Sequence, residues 1–266
     1  MPDSPPPRPP SRGSLLRQIL ALAAPTTALS MLQVVAQVVE TWLAARQGTA
    51  ALAGWAVMLP FGLLLQQMST GAMGGGVVSA VARALGARRR DEAQALVLHA
   101  LIIATAFGAL FAVGVTALAP SLLRAVAGEQ AAQQAFPYAA WVFAAGAVPA
   151  WWGNTLASVL RGGGRHALAA RVLALSWGCL PPLAWLLAEP LGLGLTGVGL
   201  AFAVSAWASA GAMAWRVQRG DAGFVPHWRI RPSRTLFVRI LAVGAIASLL
   251  AAVANLTTVL VTAQLR

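Results

Sequence analysis

One carboxylate in this chain lies where a carboxylate needs a reason. Of its seven acids, six (Asp3, Asp91, Glu92, Glu129, Glu189, Asp221) fall in the leading tail or between apolar runs. Only Glu40 lies inside such a run. Charged and unpaired in hydrocarbon, it would cost several kcal/mol, so it must face protein or water. Thr26, Ser30, Gln33 and Gln37 precede it at steps of three and four residues, the period that places side chains on one helix face. The other face is Leu, Val and Ala, suited to lipid. A polar stripe ending in a carboxylate predicts a wet cavity. In such a cavity Glu40 can bind a proton from one side and release it to the other, which is the chemistry of ion coupling. The competing reading makes Glu40 an interfacial residue that closes its helix, since Gly48 follows.

Further candidates surround it. Trp151, Trp152 and Asn154 could line an aromatic cavity, although tryptophans near segment ends (Trp42, Trp55, Trp141, Trp215) also read as an interfacial belt. Pro25, Pro60, Pro149 and the pair Pro181–Pro182 each delete a helical hydrogen bond and permit a bend. Pro25 shares its helix with Glu40. His99 reads as interfacial, and His166 and His227 as loop residues, with no metal-ligand spacing among them. The single Cys179 excludes an internal disulfide and a cysteine metal site. No Ser/His/Asp set and no paired acids suggest an enzyme, so catalytic residues and metal ligands are both expected to be none.

The elements that must position these residues are membrane helices. The 266 residues are 58% apolar and only 10% charged, with mean hydropathy +0.72. A soluble fold cannot hide that much apolar surface. Seven apolar segments, each near the roughly 20 residues that cross a bilayer, run Ile19–Ala45, Leu52–Val81, Ala95–Ala119, Phe136–Leu160, Leu168–Leu187, Leu193–Trp215 and Leu236–Leu265. The second carries Pro60 and the glycines of Gly71–Gly76, so it should bend. Those glycines read as helix packing, since no phosphate-loop Lys-Ser/Thr follows them.

The net charge of +12 comes from 19 arginines and no lysine. In a soluble chain this would suggest nucleic acid. Here sixteen arginines fall in the tail and in the second, fourth and sixth connections, leaving Arg46, Arg124 and Arg266 opposite. That asymmetry is a topological signal. It excludes nucleic acid as the partner and places the N-terminus in the cytoplasm.

The expected organisation is therefore an all-α polytopic membrane bundle of about seven transmembrane helices: a disordered Pro-rich cytoplasmic tail (1–14), six helices (15–219), a cytoplasmic loop (220–235) and a seventh helix (236–266). Ile19-Leu20-Ala21 recurs as Ile240-Leu241-Ala242, a hint that the seventh helix opens a second repeat. The chain closes on Arg266 without a tail, which reads as part of a longer protein.

With these residues in place, the chain resembles the MATE family of multidrug and toxin extrusion transporters from about Leu16 onward. Gln33, Gln37 and Glu40-Thr41 look like the family's opening helix, which usually carries Gln, Asn and Asp-Thr. Ala82-Arg83-Ala84-Leu85-Gly86-Ala87, followed by Arg90-Asp91-Glu92-Ala93, is similar to the family's AQALGAGDREEA junction. Leu160-Arg161-Gly162-Gly163-Gly164-Arg165 after Asn154 is similar to its LRGLGR turn, and Leu193–Gly199 to its Gly-rich start of helix six.

The resemblance implies a twelve-helix, two-lobe antiporter of the bacterial inner membrane that exports cationic or amphipathic drugs or metabolites against H⁺ or Na⁺, with no other cofactor. This chain would supply the N-lobe and the first helix of the C-lobe, and would need the missing C-lobe or homodimerisation to transport. The implied site is Glu40 for ion coupling, with Ser30, Gln33, Gln37, Asn154 and Trp177 lining the cavity and Pro25, Pro181 and Pro182 bending helices.

The chain departs from the family twice. Glu40 stands where Asp is usual. On helix five, Trp177 and Pro181 occupy the Asn and Asp places of an Asn-x-x-x-Asp-Pro pattern. Two alternatives remain: a lipid-linked saccharide flippase, which should line its cavity with Arg, and a non-transporting half-length membrane remnant, inert or serving as an assembly partner.

Overall fold

The computed structural model describes residues 12–227, 232–244 and 253, without the side chains of residues 12–23, 25, 26 and 72. Pro25 and Thr26 thus lie outside the residues described with side chains. So does the first copy of the suspected repeat. Of the expected tail, residues 1–11 lie outside the described residues altogether, and helix begins at Arg12.

The described residues form an all-α bundle: α1 (Arg12–Arg46), α2 (Thr49–Gln67), α3 (Met73–Gly86), α4 (Arg90–Ala127), α5 (Glu129–Ala139), α6 (Ala147–Gly162), α7 (His166–Ala188) and α8 (Gly194–Gln218). Residues 234–244 begin a further helix, α9. Five stretches have the length and composition to cross a membrane: Thr27–Arg46, Thr49–Gly86, Arg90–Ala127, His166–Ala188 and Gly194–Gln218. The expected fourth segment is two helices, α5 and α6, joined by a π turn at Ala140–Ala145. The seventh lies mostly outside the described residues.

A second π turn, Met68–Ala72, joins α2 to α3. The irregularity expected in this segment therefore falls at the start of the glycine run, taking in Gly71, while α2 stays helical through Pro60. In a π turn the backbone register slips and amide–carbonyl pairing loosens. Here the Gln66 carbonyl accepts the Thr70 hydroxyl at 2.6 Å and the Ser69 hydroxyl at 3.3 Å.

The chain packs around α6, whose residues from Gly153 to Leu160 are all buried among α3, α4 and α8. Small residues permit this closeness. A methyl on Gly54 would lie 2.4 Å from the Ala135 Cβ where α2 crosses α5. One on Gly76 would lie 2.5 Å from the Ile240 carbonyl of α9. Within the glycine run, Gly74 and Gly76 are thus packing positions, while Gly71 and Gly75 face open space. Large apolar side chains such as Leu110, Val113, Leu175 and Val38 point outward, as a helix facing lipid requires.

The three helices that end at the Arg-rich end share one cap. Arg89 N–H donates to the Ala84 carbonyl and Arg88 N–H to Leu85. The pairs Arg165–Leu160 with Gly164–Arg161, and Asp221–Arg216 with Gly220–Val217, repeat the pattern. This is the Schellman arrangement, which needs a left-handed residue after the helix. Gly164 (φ 79°) and Gly220 (φ 82°) supply it freely, whereas Arg88 (φ 58°) does so against its Cβ. At the opposite end both arginines among the described residues are paired with acids: Arg46 to Glu189 at 3.0 Å, and Arg124 to Glu129 at 3.1 Å.

Candidate functional site

Two adjoining cavities occupy the bundle. The first, about 480 Å³, opens between α1, α2, α5, α7 and α8 and is walled by Gln37, Glu40, Gln66, Tyr138, Trp177 and Phe202, among others. The second, about 400 Å³, lies between α6, α7 and α8, with Asn154, Ser176, Ser205 and Ser209 in its wall. Gln66, Trp177 and Phe202 border both, so they form the partition.

Glu40 is half-buried, and no other acid and no arginine lines either cavity among the described residues. No ion pair to it is found among those residues. Gln37, one turn earlier on α1, turns an amide Nε2 inward with no protein partner among the described residues, and Ser209 does the same with its hydroxyl in the second cavity. Buried polar groups are nearly always satisfied. Orphaned ones at cavity walls are therefore placed to meet a guest or water. The outer end of α1 is held by a bidentate ion pair from Arg46 to Glu189 beyond α7, both N–O distances being 3.0 Å, with Gln47 donating to the same carboxylate at 3.2 Å.

Asn154 is buried on α6. Its amide donates to the Ser69 hydroxyl at 2.9 Å and, more weakly, to Gln66 Oε1 at 3.4 Å. Ser69 sits in the π turn, so this network ties the irregular backbone of α2–α3 to the central helix and fixes the Gln66 side chain in the partition.

Trp177 faces both cavities. Pro181 and Pro182 continue α7 without bringing backbone N–H groups, so the carbonyls of Trp177 and Gly178 lack their helical donors. Pro149 does the same to the Ala145 carbonyl, which takes the Trp207 indole N–H at 3.1 Å instead.

The structure brings together Gln37, Glu40 and Trp177, with Asn154 next door. Ser30 is exposed and Gln33 half-buried, and neither lines a cavity. The helical period put them on the right stripe, but the cavity covers only its last turn. Trp151 is fully buried and stacks on Phe107 at 5.2 Å, while Trp152 donates to Thr105 at 2.9 Å. Both are packing residues rather than cavity walls. Gln66, Tyr138, Phe202 and the serines of α7 and α8 are wall residues that the stripe on α1 did not reveal.

The MatE family model matches residues 25–186, well over half of the chain. No curated protein matches it. Among solved structures it is similar to a MOP superfamily transporter from Pyrococcus furiosus whose binding pocket is described as of reverse polarity, suggesting a different function (25% identity, TM-score 0.78, 88% of this chain and 52% of that one). It is likewise similar to a MATE crystal structure in the straight conformation (26%, 0.77, 87% and 52%). A third match is an outward-facing multidrug resistance MATE family transporter (25%, 0.79, 88% and 52%). The chain spans about half the length of these transporters. A bundle with two adjoining cavities, a family match over most of its helices and this likeness lead to one conclusion: the chain belongs to the MatE family and carries the fold of a MOP superfamily transporter.

Proposed function

We propose that this lobe works in a secondary active multidrug antiporter, exporting cationic or amphipathic compounds in exchange for H⁺ or Na⁺ by alternating access. The observation that carries the reading is Glu40, the one acid in the walls of either cavity, unpaired among the described residues and set beside Tyr138, Trp177 and Phe202. A carboxylate in a poorly solvated site is satisfied by a proton or by a cation. A lipophilic cation and the coupling ion therefore compete for one group, and each lowers the other's affinity by the same factor. Aromatic walls suit the rest of such a molecule. The absence of arginine from both walls disfavours a pyrophosphate-bearing lipid. Because the chain spans half of its relatives, a complementary C-lobe or a second copy completes the transport path. The Arg-rich end faces the cytoplasm of a bacterial inner membrane.

The test is binding-coupled proton release, which needs one lobe only. Adding ethidium to the purified chain in lightly buffered detergent should acidify the medium, and Glu40→Gln should abolish the release while leaving a folded, monodisperse protein. Unchanged release from Glu40→Gln would overturn the assignment.

A further inference from the structure

His99, expected at the interface, is instead fully buried on α4. Its Nδ1 lies 2.8 Å from the Ala95 carbonyl, and its Nε2 accepts the backbone N–H of Ser233 at 2.7 Å. A carbonyl can only accept and an amide N–H can only donate. The two contacts therefore require the neutral ring with its proton on Nδ1. Ser233 immediately precedes α9, and Phe237, one turn into α9, packs against the imidazole with ring centroids 4.6 Å apart. Gly76 lets the α9 backbone at Ile240 lie against α3, and Arg239 of α9 pairs with Glu92 of α4. The start of α9 is thus docked on α3 and α4 through one imidazole acceptor, one close backbone contact and one ion pair.

We propose that His99 is a proton-operated latch on the start of α9: the neutral ring holds Ser233, and a second proton releases it. A proton on Nε2 would set a donor against the Ser233 donor and place a cation on a fully buried ring. No acid lies within ion-pair distance of it among the described residues. Glu92 is already shared by Arg89 at 2.9 Å and by Arg239. The other charges on the elements around it are Arg88 just before α4, Arg90 and Asp91 at its start, Arg234 on α9, Arg83 at the end of α3, bonded to Ser79, and Arg161 at the end of α6. Helix α2 carries no charge, and Glu129 of α5 pairs with Arg124 at the far end of α4. The local surplus is positive, so the ring's only relief is for Ser233 to move away. Acidification of the Arg-rich side therefore loosens the segment that leads out of the six-helix unit. This inference does not depend on Glu40.

The experiment measures a distance rather than transport. Spin labels at the exposed sites of Arg90→Cys and Arg234→Cys, in a Cys179→Ser background of the full chain, report the gap between α4 and α9. The chain with His99 intact should give one narrow distance at about pH 8 and lose it at low pH, once the ring takes its second proton. His99→Gln, which can still accept from Ser233 but cannot titrate, should keep the narrow distance at both. His99→Phe, which cannot accept, should lack it at both. A distance that stays narrow at low pH with His99 intact, or that broadens equally in His99→Gln, would overturn the latch.

Discussion

The bond from Asn154 to Ser69 should be measurable as a coupling between the central helix and the π turn. Asn154 is buried, and Asn154→Ala removes a donor from the Ser69 hydroxyl at 2.9 Å and a weaker one from Gln66 Oε1 at 3.4 Å. Ser69 keeps only its own long donation to the Gln66 carbonyl at 3.3 Å. A hydrogen bond between soluble-protein groups nets about 0.5–1.5 kcal/mol, and a buried partner left unsatisfied costs about 1–3 kcal/mol. Interhelical bonds in membranes run lower, averaging about 0.6 kcal/mol, because the unfolded helices also find partners. The expected cost of Asn154→Ala is therefore about 1–2 kcal/mol, with about 0.5–1 kcal/mol of it shared with Ser69→Ala. A double-mutant cycle by reversible unfolding in mixed micelles reads both numbers. Single effects that add to within about 0.3 kcal/mol would show no coupling. The π turn would then be held by its own hydroxyls, and the reasoning that α6 fixes the partition would fail.

Gly54→Ala should destabilise by about 1–2 kcal/mol, because the new methyl meets Ala135 at 2.4 Å and the clash outweighs alanine's helix preference. Gly114→Ala, with nothing within 4 Å of the new methyl, should stabilise by about 0.5–1 kcal/mol in the same unfolding assay. Arg88→Gly should stabilise by about 1 kcal/mol, since it relieves a left-handed residue in an exposed cap. A shift in the melting midpoint checks it.

The architecture was legible because hydropathy and arginine placement act over whole segments. Twenty apolar residues must cross a bilayer whatever their order, and the first six runs and their connections follow from that. The two Arg-rich turns were legible too, since their motifs encode one cap geometry. The walls of the site were harder to read. A helical period identifies a face but not how deep along the helix the neighbouring elements open. Gln37 and Glu40 therefore reach the cavity while Ser30 and Gln33 do not. Gln66 had a usable signal: Gln66-Gln67-Met68-Ser69-Thr70 is a polar run inside an apolar segment, and it marks the π turn that the glycines alone did not locate. Tyr138 and Phe202 had none, because an apolar helix offers an aromatic residue many equally good places. His99 read as interfacial because its partner lies 134 residues away, on a segment that hydropathy does not connect to it.

The replacement on helix α7 bears on stoichiometry. Where the resemblance leads one to expect an acid before a proline, this chain has Pro181 before Pro182. That change deletes a titratable group, but it also strips one more carbonyl, that of Trp177, of its amide donor, beside the Gly178 carbonyl that Pro182 already leaves free. A free carbonyl presents partial negative charge without binding a proton at any ordinary pH. The α7 wall at Trp177 thus retains part of the electrostatic welcome for a cation while losing the means to exchange protons for it. On the proposed reading, every proton that this lobe trades must pass through Glu40. The lobe can then contribute at most one proton to each transport cycle.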